Sequence, residues 1–367
     1  MLTKENCEIE KKLNQIAQDI AIPEDKYKDA EKRYEALGEW LAGENSELKE
    51  YNPKIYPQGS FALGSAIKPQ EGCEYDVDLI CLFQKGLNTS NISQKELKRL
   101  VGDRIKAHGT YSKLLDPKEG SRRCWTLKYN DESKFHLDIL PAIPDEWTHF
   151  SEEKYRAGAI NQAIFITDKK HREYENITKD WLKSNPQGYI NWFYSQMREK
   201  MMKNQKSLLA ASESVKEFPS YKRGTTLQKA IQLLKYHRDI NFGHDEDKPI
   251  SIIITTLATK AYNGEDNLFD ALKNICANME NYIEISENNV YRVENPVNSE
   301  ENFADKWQEN PRKREIFFKW LNSLNQLFKE LLKENADISQ TLDNAYRRKI
   351  VPKKNVVLTD TVKPWSL

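Results

Sequence analysis

Cysteine is scarce in this 367-residue sequence, with five residues, Cys7, Cys73, Cys81, Cys124 and Cys276, and no pair at C-x-x-C spacing. A structural zinc site is therefore not expected. An odd count at irregular spacing fits reduced thiols of a cytosolic chain and not a disulfide framework. Long apolar runs are missing as well. The longest, residues 250–258, is broken by Ser251, Thr255 and Thr256 and falls far short of the ~20 residues that span a bilayer. The first ten residues are charged and lack the apolar core of a signal peptide. These absences lead to the expectation of a soluble, cytoplasmic protein with no membrane partner. Net charge is absent too, with 56 Lys+Arg against 56 Asp+Glu. Proteins that grip long nucleic acid ordinarily carry a basic excess, so a long polymer is not the expected ligand.

What is present is globular. Apolar residues make up 38% and charged residues 31% of the chain, unlike a disordered segment. The length leaves room for two lobes with a cleft between them. Ile9, Leu13, Ile16 and Ile20 recur at helical spacing, followed by a second stripe of Tyr27, Ala30, Tyr34, Leu37 and Leu41. Residues 53–57 begin and end in proline and read as extended. Residues 74–83 read as a strand, 94–108 as a helix, and 123–129 with 134–140 as paired strands around the polar turn 130–133. Beyond residue 180 the pattern is mainly helical. Residues 212–224 are the linker candidate. Thr225 with Gln228 forms a capping-box pattern opening a helix with Leu227, Ala230, Ile231 and Leu234 on its buried face. A long helix is expected over 311–334, striped by Phe317, Trp320, Leu321, Leu324, Phe328 and Leu331.

The chemistry concentrates in three short segments. In Asp76-Val-Asp78 the alternation of a strand puts both carboxylates on one face, with Tyr75, Val77, Leu79, Cys81 and Phe83 on the other. Two neighbouring carboxylates repel, so a cation is expected between them. A hard divalent ion with oxygen ligands is the natural occupant, and magnesium the usual one beside phosphates. In residues 135–139 the apolar side chains again take one face and leave His136 and Asp138 on the other. If the two strands are neighbours, Asp138 completes a three-carboxylate site able to hold two ions, one for an attacking hydroxyl and one for triphosphate charge. Gly59-Ser60 precedes Asp76 by 17 residues. A glycine permits close backbone approach to a phosphate, Ser60 adds a hydroxyl, and the following residues read as the opening of a helix. Each segment alone has a plainer reading as a turn or a surface strand; their order and phasing together carry the catalytic one.

Gln58-Gly-Ser-Phe61, the strand around Asp76 and Asp78, and His136-Leu-Asp-Ile139 resemble the polymerase-beta-type nucleotidyltransferase superfamily. Within it they resemble most the bacterial cyclic GMP-AMP synthase-like enzymes, the CD-NTases. Residues 233–238 and 248–251, then 295–298 and 301–307, resemble that family's second half. The resemblance implies an α/β (α+β) catalytic lobe with a mixed sheet over residues 1–211, whose N-terminal helices pack across both lobes. It also implies a helical lobe of oligoadenylate-synthetase type over 212–350 and an extended tail over 351–367. Asp76, Asp78 and Asp138 would bind two Mg2+ ions, with Mn2+ able to substitute, and Asp138 would help deprotonate the acceptor. Gly59 and Ser60 would hold the donor triphosphate, Gln58 would orient that loop, and Lys235 and Ser251 would reach the triphosphate from the second lobe. For Lys235 the plainer reading is a solvated helix lysine, and for Ser251 a helix cap.

The implied substrates are nucleoside triphosphates: ATP, with GTP, UTP or CTP. The implied product is a cyclic di- or trinucleotide messenger of bacterial antiphage (CBASS) signalling, sensed by a separate effector protein. A protein partner at the tail is implied for some relatives; the alternative is an ordinary chain end. Two rival functions share the same acidic triad or its fold. One is a different nucleotidyltransferase, either a linear-oligonucleotide or tRNA-end polymerase or an enzyme that modifies a protein or small molecule. The other is a nucleotide-binding scaffold without turnover. Arg122 and Arg123 are read either as phosphate contacts or as exposed arginines, and Tyr189, Trp192, Phe193 and Tyr194 as core in preference to a base-stacking surface.

Overall fold

The computed structural model describes residues 4–70, 73–129, 134–145, 162–204, 224–243 and 245–346. The turn at 130–133, nearly all of the 212–224 linker candidate and the 351–367 tail lie outside these residues. The chain opens with helices α1 (Lys4–Ile20) and α2 (Glu24–Ala42), then strand β1 (Pro53–Pro57), the single turn α3 (Gly59–Ala62) and strand β2 (Tyr75–Phe83). Next come α4 (Gln94–Lys106), α5 (Tyr111–Leu114), β3 (Trp125–Tyr129), β4 (Phe135–Pro144), β5 (Ile164–Ile166) and β6 (Leu182–Ser184). The remainder is largely helical: α6 (Pro186–Asn204), α7 (Thr226–Phe242), α8 (Ser251–Ala261) and α9 (Leu268–Asn278). Four short strands follow, β7 (Glu284–Ile285), β8 (Tyr291–Arg292), β9 (Glu294–Asn295) and β10 (Asn298–Asn302), which the sequence pattern did not announce. The described chain ends with α10 (Lys306–Glu309), α11 (Pro311–Leu331) and α12 (Ile338–Ala345).

Local chemistry sets several boundaries. Ser93 and Glu96 form a reciprocal capping box at the start of α4, and Thr225 and Gln228 do the same for α7. Asn310 caps α11, with Pro311 in its first turn. That helix stops three residues before the expected end because its last turn tightens, Lys333 N–H donating to Glu330 O at 3.1 Å.

Six strands form a mixed sheet in the order β1-β2-β4-β5-β6, with β3 also paired to β4. The pair β2–β4 is parallel and the other pairs are antiparallel. One face carries Val77, Leu79, Cys81 and Phe83 from β2 and Phe135, Leu137 and Ile139 from β4. It packs on Leu37 and Leu41 of α2 and Leu97, Val101 and Ile105 of α4, so the strand period of two and the helix period of 3.6 meet in one core. A second core joins α1 to α6–α9, α11 and α12. The first two helices thus serve different cores, α1 the helical one and α2 the sheet. Tyr189, Trp192 and Phe193 are buried in the helical core with Tyr194 packed against it; this aromatic run is core.

Gly102, inside α4, lies against the Trp125 indole: an ideal Cβ there would stand 2.0 Å from its Cζ2. The same ring is pinned by Nε1–H donating to Lys98 O at 2.7 Å, so it cannot swing away cheaply. A helix-interior Gly→Ala change ordinarily gains about 1 kcal/mol. Here overpacking wins, and Gly102→Ala is expected to destabilise by about 2 kcal/mol. Urea denaturation checks this; equal or greater stability would show that the indole has room to move.

Candidate active site

The parallel register of β2 and β4 brings the acidic residues together. Asp76 stands opposite His136, and Asp78 opposite Asp138. Since residues two apart share a face, all four lie on the sheet face turned away from α2 and α4. Further along that face the side chains become apolar, with Ile80, Leu140 and Ala142 packed on Tyr56, Ile164 and Ile166.

Neighbouring side chains hold Asp138 and Asp76. Thr126 faces Asp138 across the β3–β4 pair and donates a short Oγ1–H bond to its Oδ1. His136 Nε2 lies 2.9 Å from Asp76 Oδ1, and its Nδ1 lies 3.4 Å from Glu74 Oε2. Ligand atoms of Asp76, His136 and Asp138 come within 4.8 Å of one another. Asp78 lies under the turn between β1 and α3: Gln58 N–H donates to its main-chain oxygen at 2.9 Å. At Gly59, φ is +63° and an ideal Cβ would stand 2.4 Å from Asp78 Oδ2. Glycine is therefore required twice here, for the left-handed backbone and for the close approach.

The electrostatics describe a site short of positive charge. Burial, then Asp76 and Asp138, push the Asp78 carboxyl up to about 8. Burial also raises Asp138, against the lowering effect of the Thr126 bond. The bond to Asp76 holds the His136 imidazole up at about 9, in its charged form at neutral pH. Crowded oxygen donors whose ionised forms repel one another are the donor set that a hard divalent cation satisfies, so these residues fit such an ion.

The other residues singled out from the sequence divide. Gln58 and Gly59 touch the acidic strand directly, and Ser60 follows in α3, its carbonyl accepting Ser65 N–H at 2.9 Å. Lys235 is not a solvated helix lysine. It is only 4% exposed, and its Nζ donates to Ser65 Oγ at 3.0 Å and Ser65 O at 3.2 Å. Burial, then Arg238, bring it down to about 7, partly offset by Asp239 and Asp78. Ser251 is exposed at the first residue of α8 and accepts Arg238 Nη1–H at 2.9 Å; its contact is with α7 and not with the acidic face. Among the described residues Cys73 is a half-buried free thiol.

Arg122 and Arg123 have a structural partner that sequence reading missed. Both grip Asp168, with Arg122 Nε 2.7 Å from Oδ1 and Arg123 Nε 3.0 Å from Oδ2. The Asp168 side chain is fully buried, while the arginines are about half exposed. Burial alone would raise this carboxyl, but Arg122, the Lys170 amide and Arg123 outweigh it and hold it at about 2. The folded value lies below the ordinary one, so this contribution is present above about pH 4 and is lost as pH falls through about 2. Asp168→Asn keeps the volume and removes the charge. A cost of about 1–2 kcal/mol at pH 7 is expected, at the low end for a buried pair because the arginines can return to water. The cost should vanish near pH 2 in chemical denaturation; a cost that persists there would assign it to packing.

The Gly59 turn is laid over paired strand carboxylates, and α7 reaches the loop after it through Lys235; with the similarities that follow, the class is a nucleotidyltransferase. Residues 8–161, which contain the whole acidic cluster, match the model of the Second Messenger Oligonucleotide or Dinucleotide Synthetase domain. The chain is 30% identical over 332 residues to a c-di-GMP synthase of Roseivirga ehrenbergii, spanning 90% of this chain and 81% of that one. It is 24% identical over 334 residues to the cyclic dinucleotide synthase CdnG of Bradyrhizobium diazoefficiens, spanning 85% of this chain and 73% of that one. Two solved structures share the fold. The Bradyrhizobium diazoefficiens CdnG complex with GTP has a TM-score of 0.62 at 20% identity, covering 86% of this chain and 90% of that one. The Vibrio cholerae DncV cyclic AMP-GMP synthase complex with nonhydrolyzable GTP has a TM-score of 0.53 at 16% identity, covering 92% and 84%. The chain belongs to the CD-NTases, the bacterial cyclic GMP-AMP synthase-like nucleotidyltransferases, and is an oligonucleotide cyclase of that family.

Proposed function

We propose that this enzyme joins two molecules of GTP into a cyclic dinucleotide, releasing two pyrophosphates. The observation that carries the reading is the register of Asp78 against Asp138, with Asp76 on the same face and the Gly59 turn laid directly on Asp78. Guanine is the first choice because a relative 30% identical over 90% of this chain is a c-di-GMP synthase. In each half-reaction a ribose hydroxyl oxygen forms a bond to the donor α-phosphorus. The bond from that phosphorus to the α–β bridging oxygen breaks, and pyrophosphate leaves with its electron pair. The second half-reaction is the same step within the linear intermediate and closes the ring.

The roles follow from position. Asp76, Asp78 and Asp138 would hold two Mg2+ ions, for which Mn2+ can substitute. When bound, such ions supply Lewis-acid stabilisation of the hydroxyl and phosphate charge. Asp138, its other oxygen tied by Thr126, accepts the hydroxyl proton. Gly59 and Ser60 receive the triphosphate, with Gln58 anchoring the turn. Lys235 contacts the triphosphate from α7, and its placement on Ser65 of the cradle loop supports this. Ser251 would contact the triphosphate from α8, and this role rests on the family pattern. We assign residues 1–211 to the catalytic lobe, 212–350 to the helical lobe and 351–367 to a tail, and place the product in antiphage signalling through a separate effector.

The test is incubation of purified protein with the four ribonucleoside triphosphates, each labelled in turn at the α-phosphate, with Mg2+ or Mn2+, then phosphatase. A phosphatase-resistant product labelled only from GTP supports the reading. A resistant product containing other bases keeps the cyclase and changes the substrate. Linear, phosphatase-sensitive chains would establish the polymerase reading instead.

A further inference from the structure

The one-turn helix α3 that begins with the cradle residues cannot hold itself. A four-residue helix leaves its last carbonyls without intrahelical partners, and so short a segment is not stable alone. Here the missing donors arrive from the helical lobe. Tyr194 Oη on α6 donates to Ala62 O at 3.0 Å. From α7, Gln228 Nε2 donates to Leu63 O at 2.9 Å, Lys235 Nζ to Ser65 O at 3.2 Å, and Gln232 Nε2 to Ala66 O at 2.9 Å. Gln228, Gln232 and Lys235 are spaced four and three apart, so they share one face of α7, and all three are buried. Buried amide side chains stay in a core when they are hydrogen-bonded; this polar stripe exists to meet the loop. The clamp is passed on to the cradle by Ser65 N–H, which donates to Ser60 O at 2.9 Å.

On the other side of the cradle the attachment changes. Gln58 is tied to the sheet through Asp78 O at 2.9 Å. The chain is therefore tied to the carboxylate-bearing strand up to Gln58; beyond Gly59 the Phe61 side chain is still seated in the sheet core, while the carbonyls of Ala62, Leu63, Ser65 and Ala66 are held from the helical lobe. Gly59 lies between the two attachments.

We infer that Gln232, Gln228 and Tyr194 are positioning residues for the donor triphosphate, holding Ser60 and the loop after it at a set height above the acidic face. The inference rests on the reading that Gly59 and Ser60 receive that triphosphate. It makes the helical lobe, through the loop's carbonyls, a part that sets phosphate binding alongside the sheet core that seats Phe61. The acidic residues do not depend on it, because their strands are held by their own ladder.

Gln232 is the cleanest probe, since its one described bond is to Ala66 O, whereas Gln228 also caps α7. Gln232→Met keeps the length and loses the donor; Tyr194→Phe removes a donor from a different helix and keeps the ring. Binding of a GTP analogue with a methylene between the α- and β-phosphates is measured with Mg2+, alongside Mn2+ binding to the nucleotide-free protein and amide hydrogen exchange over residues 60–66. The analogue dissociation constant is expected to rise about tenfold for Gln232→Met and about threefold for Tyr194→Phe, the loss of one buried hydrogen bond in each. Exchange over 60–66 is expected to quicken, with Mn2+ affinity unchanged. Unchanged analogue affinity and KM beside a lowered Tm would make these residues merely structural and overturn the inference. A wild-type chain that binds Mn2+ but no analogue would overturn the triphosphate reading itself, and this inference with it.

Discussion

Asp78→Asn is expected to lower turnover by about 10³-fold or more while making the metal-free protein more resistant to heat. The activity loss follows from removing one carboxylate of a site whose occupant supplies several kcal/mol to the transition state, at 1.36 kcal/mol per tenfold in rate. The stability gain follows from geometry. Asp78 is crowded by Asp138 directly opposite and Asp76 two residues away, and burial with these neighbours raises its carboxyl to about 8. A carboxyl raised on folding binds a proton that the unfolded chain has released. Its contribution is therefore fully present below about pH 4 and is lost as pH rises through about 8. Asparagine removes that dependence. In EDTA the variant's Tm should exceed the wild type's, by more at pH 8 than at pH 5. Saturating Mg2+ or Mn2+ should raise the wild-type Tm and scarcely move the variant's. Thermal unfolding in both conditions, run beside the labelled-nucleotide assay, checks the pair. Wild-type turnover in the variant would remove Asp78 from the metal site, and a lower metal-free Tm would show that its charge is compensated by the protein.

Gly59→Ala should cost about 10²-fold in kcat with only a modest change in stability. Alanine at φ +63° is strained by roughly 1–2 kcal/mol, and its Cβ would fall 2.4 Å from Asp78 Oδ2. That contact can be relieved by turning the carboxylate or by lifting the cradle. Either response displaces a catalytic group by an ångström or so, which is enough for a loss of that order. Single-turnover kinetics at saturating metal and GTP separate this from weaker binding. A kcat close to wild type would mean that α3 absorbs the extra carbon without moving Asp78.

Wherever one element sufficed, the reading from sequence was direct. The parity of Asp76 and Asp78 against Val77, Leu79, Cys81 and Phe83 named the polar face of β2, and the same parity served Asp138 on β4. The stripes of α1, α2, α7 and α11 named their buried faces because a helix repeats every 3.6 residues and burial must follow that period. Thr126 had a weak signal, a polar residue between Trp125 and Leu127 that shares a strand face with Lys128. Its value became visible only when β3 was seen to pair with β4 and set it opposite Asp138. Asp168 had none: its arginines lie 45 and 46 residues earlier, and hydrogen bonds between distant segments leave no periodic mark. Lys235 was recognised as a motif residue, but not its burial or its hold on Ser65. The four small strands between β7 and β10 escaped because strands of two to five residues are too short to show alternation.

The sequence by itself determined which residues could be catalytic and which faces they occupy, since alternation along a strand and the preference of crowded carboxylates for a hard cation are local properties. Only the tertiary structure decided that β2 and β4 are parallel neighbours in the register that sets Asp78 beside Asp138. It alone decided that α1 joins the helical core while α2 joins the sheet, and that the carbonyls of the loop after Gly59 find their donors on α6 and α7. These are choices between surfaces of similar apolar character far apart in the chain. They are settled by the packing of whole faces and by buried polar groups finding partners, which no stretch of sequence contains.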